Sequence, residues 1–215
     1  MSTDRADAVA GRSFGPARER PRLLTWGLLR PDDGTEVAIR AIALLGDRRR
    51  DVRYLIAGPI HPTAFSSGRD QHRERLTRTA WEAGVASSVR VDAVERTPEM
   101  LAQLVASASV VIVSDDPFET TASAVLTASV AAGRPVIAAA SPQAVELLGD
   151  GAGIVVPPGD PVALAAAIES ILDRPASLET MASQARQRAA SLAWSAPDGQ
   201  HRSLRDLVAI ALEAR

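Results

Sequence analysis

The chain is predicted to fold as one α/β domain, a Rossmann-like doubly wound parallel sheet of about six strands with extra carboxyl-terminal helices. Three observations predict it. Short β-branched apolar runs alternate with longer segments whose apolar residues recur at helical spacing. Three of the helical segments are announced alike, by a capping residue and then a proline, at Thr97-Pro98, Ser141-Pro142 and Asp160-Pro161. The 215 residues, 46% of them hydrophobic, suffice for one well-buried domain and are short for two. Repeated βα alternation implies parallel strands covered on both faces.

Met1 to Pro21 is polar, rich in Arg, Ala, Gly and Pro and without a sustained period, so residues 1–21 read as a disordered arm. Arg22 to Leu28 reads as the first buried strand. A helix follows from about Thr35 to Leu45, with Ala38, Ala41, Ile42 and Leu45 on one stripe. The connection GDRRRD leads to a strand at Val52 to Ala57. The Pro/Gly/Ser loop Gly58 to Arg69 follows, then a periodic segment from Asp70 to Gly84. A third strand, Ser88 to Ala93, precedes the helix capped by Thr97.

The central module runs from Ser109 to Ala139: an apolar run to Val113, an acidic turn, an Ala-rich helix, Gly133, and a second apolar run from Pro135. Beyond it come a short helix near Gln143 to Leu148, a strand at Gly153 to Val156 and a helix from Pro161 to Leu172. A helix from Ala176 to Ser191 is expected to be interrupted near Trp194 and Pro197. A last amphipathic helix lies at about Gln200 to Ala214, within a segment 197–215.

In such a sheet the carboxyl edge is where ligands bind, so the module places Asp115, Asp116, Glu119 and the first N–H groups of its helix at the expected site. The loops carrying Arg30 and His61 reach the same edge.

Composition excludes several classes. Lys+Arg 24 against Asp+Glu 26 gives a net charge of -2, no global field for nucleic acid or an anionic membrane. There is no cysteine, hence no disulfide or thiolate chemistry, which suits a cytoplasmic protein. No run is long and apolar enough to span a bilayer. His61, His72 and His201 show no metal-triad spacing, so neither a metal nor a cofactor is expected. No G-x-S-x-G or Walker A string is present. Every cationic side chain is an arginine, because the chain has no lysine.

TWGLLRPDDGTEVAIRAI, RYLIAGPIHP, SDDPFETTASAV, AAGRPVIA, GAGIVVPPGDPVALAAAIESIL and LAWSA together cover most of residues 22–196. As a set they resemble the carboxyl-terminal, donor-binding half of GT-B glycosyltransferases of the group-one, family-four class. That resemblance implies a retaining, metal-independent hexosyltransferase using a nucleotide-diphosphate sugar. Its first motif acid matches Glu119, with a catalytic role beside the transferred sugar. The N–H groups of Thr120, Thr121, Ala122 and Ser123 would hold the diphosphate, and Arg30 and His61 would assist from neighbouring loops.

The pattern departs at named positions. The second motif acid, which holds the ribose, corresponds to Thr127, losing a charge-assisted hydrogen bond of about one to two kcal/mol. The basic pair that grips the diphosphate corresponds to Leu28 and Asp33, and Asp33 is expected to repel it. Residues 22–196 form only the donor half, so the resemblance implies a partner chain supplying the acceptor-binding half. Two readings from other classes stand beside it: a non-catalytic Rossmann module serving as an interaction subunit, and a fragment of a longer product.

Overall fold

The computed structural model describes residues 20–31, 33–61, 65–66, 69–114 and 119–195. Its sheet has six strands: β1 (Arg22–Trp26), β2 (Arg53–Ala57), β3 (Val89–Asp92), β4 (Val110–Val113), β5 (Val136–Ala139) and β6 (Gly153–Val156). All pair in parallel in the order β3-β2-β1-β4-β5-β6. The order reverses between β1 and β4, so the loops after those strands diverge to opposite faces and leave a crevice at the carboxyl edge.

Strand residues alternate between two cores because successive side chains point to opposite faces. Leu23, Tyr54, Ile56, Ile112 and Ile137 pack under α1 (Thr35–Leu44), α2 (Gln71–Glu82) and α6 (Pro161–Asp173). Leu24, Trp26, Ala57, Val111 and Ala138 pack under α3 (Pro98–Ser107), α4 (Glu119–Ala131) and α5 (Pro142–Leu148), joined by Ala185 of α7 (Ala176–Ser195).

All three capping expectations hold. Thr97 Oγ1 accepts the Met100 N–H, Ser141 Oγ accepts that of Ala144, and Asp160 Oδ1 accepts those of Val162 and Ala163. Each satisfies donors that an unfinished first turn leaves open.

The structure corrects some boundaries. GDRRRD is not a simple connection but a 3-10 turn over Gly46–Asp51, closed onto Leu45 O by the Arg48 N–H. A small antiparallel ribbon pairs Phe65–Ser66 with Arg69–Asp70 inside the loop before α2. The break expected near Trp194 is absent, since α7 runs through it to Ser195. Trp is tolerated in a helix, whereas Pro197 disfavours helical geometry at the residue before it. The arm expected over residues 1–21 lies outside the described residues up to Glu19, as does the helix expected at 200–214. Among the described residues no helix is long and apolar enough to cross a membrane.

Candidate active site at the carboxyl edge

The crevice is built from backbone outward. Beyond β1 and β2 the chains stay paired: Gly27 N–H donates to Ala57 O, Leu29 N–H to Pro59 O, and His61 N–H to Leu29 O at 2.8 Å. This pairing sets the loops carrying Arg30 and His61 side by side. The approach is close enough to require glycine, because a Cβ on Gly58, whose φ is 144°, would lie 1.8 Å from Gly27 O.

Trp26, the last residue of β1, donates its Nε1–H to Ser129 Oγ at 3.1 Å, and that hydroxyl donates to Val125 O at 2.7 Å. The bond ties β1 to the middle of α4 and fixes where that helix stands. Beneath the crevice, Thr25 Oγ1 donates to Ile112 O at 2.9 Å, spending its one proton. It therefore accepts from the Tyr54 hydroxyl at 2.8 Å. Burial pushes the Tyr54 phenol up against the opposing Thr25 hydrogen bond, with the Asp33 charge adding to the rise.

Between the loop after β1 and α4 lies a small cleft lined by Thr25, Trp26, Leu28, Asp33, Thr35, Ser114 and Ala122. A second, lined by Val37, Ser114, Ala139, Pro157 and Asp160, lies on the other side of the β4 end. Ser114 lines both. Its Oγ and that of Thr35 are buried without a hydrogen-bond partner, as are both ring nitrogens of His72. Buried polar atoms are normally paired, so a concentration of exceptions at one edge marks where a polar ligand or water belongs. The larger groove beside α3, floored by Leu24, Leu55 and Leu104 and rimmed by Arg53, Arg90 and Arg96, holds no such atom among the described residues.

The expected site residues fall as follows. Glu119, Thr120, Thr121, Ala122 and Ser123 form the first turns of α4, at the crevice, with Ala122 in the cleft wall. Asp115 and Asp116 lie outside the described residues. Arg30 and His61 sit half-buried on the paired loops. Thr127 faces α5, where its Oγ1 accepts from Gln143 Nε2 at 3.1 Å.

Asp33 has a local role that the sequence did not suggest. Its carboxylate is engaged by the chain: Oδ2 accepts the Arg30 N–H at 3.0 Å, Oδ1 accepts the Thr35 N–H at 2.9 Å, and His72 Nε2 stands 3.8 Å from Oδ2. Burial alone would raise this carboxyl, but His72, Thr35 and the Arg30 N–H outweigh it and hold Asp33 below the ordinary carboxylate range. It organises the turn into α1 before it acts on any ligand.

Sequence reasoning placed the site on the stretch that Ser114 opens without giving Ser114 a role, and it missed Thr35, His72 and Gln143 as neighbours of the crevice. Ser114 carried a signal, because it directly follows the VVIV run and so sits at a strand's carboxyl end. His72, in the polar string QHRER, carried none. Among the described residues no group of three His, Asp or Glu side chains is placed to hold a metal.

A parallel sheet of this order, with a helix start and two loops around its reversal point, defines the class of Rossmann-like domains that bind ligands at the strand carboxyl ends. The family follows from comparison. A family model described as "Glycosyl transferases group 1" matches residues 20–174, and the chain belongs to that family. D-inositol 3-phosphate glycosyltransferases are similar: that of Thermomonospora curvata is 30% identical over 188 residues, spanning 87% of this chain and 43% of its own length. That of Corynebacterium diphtheriae is 32% identical over 174 residues, 79% of this chain and 38% of its own. The chain thus spans less than half the length of these relatives.

Among solved structures, HepE of Anabaena in complex with UDP superposes with TM-score 0.66 at 21% identity, over 90% of this chain and 47% of that one. The carboxyl-terminal domain of the group 1 protein LpcC of Francisella tularensis gives 0.66 at 15% identity, over 83% of this chain and 94% of that one. The fold is that of the carboxyl-terminal half of a GT-B glycosyltransferase.

Proposed function

We propose that this chain is the donor-binding half of a glycosyltransferase, holding a nucleotide-diphosphate sugar across the β1/β4 crevice for transfer to an acceptor bound by a second half. The observation that carries the reading is the gathering of the α4 start, the Arg30 loop and buried unpartnered hydroxyls at the reversal of strand order. Unpaired N–H groups at a helix start carry about half a positive charge, which suits diphosphate oxygens in a chain without lysine. The solved neighbours that hold UDP and UDP-glucose support the donor class.

In this reading Glu119 orients the donor at the reacting carbon. Thr120, Thr121, Ala122 and Ser123 present N–H groups to the diphosphate. Arg30 and His61 flank it, and Thr127 stands towards the ribose. The transfer retains anomeric configuration and uses no metal, and a partner chain supplies the acceptor wall.

Calorimetric titration with UDP-, GDP- and ADP-sugars tests this, with Glu119→Ala as control. Micromolar binding that the variant loses supports the donor site, whereas no binding to any member of the panel overturns it. A second reading, a non-catalytic interaction subunit, is favoured by Leu28, by Asp33 engaged within its own turn, and by Thr127 engaged with Gln143.

A further inference from the structure

We propose that Asp33 and His72 act as a positioning pair: together they set the loop after β1, the crevice wall that carries Arg30, and thereby govern how tightly the crevice holds a nucleotide. The ligand named here rests on the nucleotide-sugar reading; the pairing itself does not.

His72 is the second residue of α2 and is 3% exposed, and both of its nitrogens lack a hydrogen-bond partner. A buried imidazole in that state needs a polar neighbour, and the group that faces it is Asp33 Oδ2, 3.8 Å from Nε2. The carboxylate has capacity to spare. Two ionised oxygens offer about four acceptor sites, and the Arg30 and Thr35 N–H groups occupy one on each oxygen. A shift of under about 1 Å brings Nε2 to hydrogen-bond distance.

The pair has a structural consequence that capping alone does not. The loops after β1 and β2 are joined at backbone level through Leu29 and His61. His72 heads the helix reached through the β2 loop, and Asp33 closes the turn of the β1 loop, so their pairing joins the two segments at the turn itself. The backbone ladder joins them at Leu29 and the Arg75–Glu36 ion pair joins α2 to α1 beyond the turn, so the pairing acts on the stretch between those two ties. Pre-organised walls bind more tightly because less ordering is left for the ligand to impose.

The test compares Asp33→Asn, His72→Phe, the double variant and His72→Gln, with UDP as the probe. Asparagine keeps one acceptor for Thr35 but turns an NH2 towards Arg30. Phenylalanine keeps the ring and removes its nitrogens, and glutamine keeps a donor. The readouts are UDP affinity and amide exchange at Arg30 relative to the core amide of Ile112, so that a global loss of stability cancels.

Each of the first two changes is expected to weaken UDP about tenfold and to speed Arg30 exchange, and the double variant to be no worse than the poorer single one, as for residues acting as a unit. His72→Gln should recover to within about threefold of the parent. The proposal is overturned if His72→Phe leaves affinity and Arg30 exchange unchanged, or if the two effects simply add. Should the parent protein bind no UDP, the choice of uridine nucleotide fails, and the whole nucleotide reading fails only if GDP and ADP do not bind either, while exchange at Arg30 still decides the pair.

Discussion

At the scale of single residues, Asp33 shows how a charge that looks misplaced near a phosphate site acquires another purpose. Its folded pKa lies below the ordinary value of 3.8, so it contributes stability that is present above that value and is lost as pH falls through the folded one. Asp33→Asn should therefore be less stable than the parent at neutral pH, with the gap closing below about pH 4, as urea unfolding across that range would read. Thr127 gives the complementary case. Glutamate there can still accept from Gln143 while offering a charged acceptor to a ribose, so Thr127→Glu should tighten nucleotide-sugar binding by about tenfold in calorimetry. An unchanged affinity would place position 127 outside the site.

At the scale of elements, the crevice depends on where α4 and the strand-end loops stand. Gly58→Ala forces a methyl against Gly27 O and cannot be relieved by side-chain rotation, so it should destabilise by at least about 2 kcal/mol and loosen the Arg30 and His61 loops together. Thr97→Ala removes the acceptor for the Met100 N–H at the start of α3, which lines neither cleft, and should cost about 1 kcal/mol without altering ligand affinity. Thermal melts with and without UDP separate the two. Element placement was largely legible in the sequence because capping, turn glycines and apolar period are local. The continuation of α7 through Trp194 was not, since no local signal stops a helix before Pro197 acts.

At the scale of the whole molecule, the sheet is covered by a core on each face, and a ligand that binds the folded state at its carboxyl edge would stabilise the fold by mass action. UDP at about a hundred times its Kd should add about 2.7 kcal/mol and raise Tm by on the order of 5–10 °C for a chain of this size. A nucleotide that binds without raising Tm would be binding the unfolded chain as well. On the proposed donor-half reading, sugar transfer by this domain should need an acceptor-binding half beside it, which an assay with and without such a half would read.

The sequence by itself determined the alternation of strands and helices, the parallel sheet, the three caps and the position of the α4 start after the β4 strand. Each of those follows from periodicity or from residues within a few positions of one another. Only the tertiary structure decided that strand order reverses between β1 and β4, that Asp33 accepts from the Arg30 and Thr35 N–H groups beside a buried His72, and that Thr127 accepts from Gln143. Those outcomes depend on contacts between distant segments, and such contacts are selected by burial and polar satisfaction across the whole fold, which local pattern does not encode.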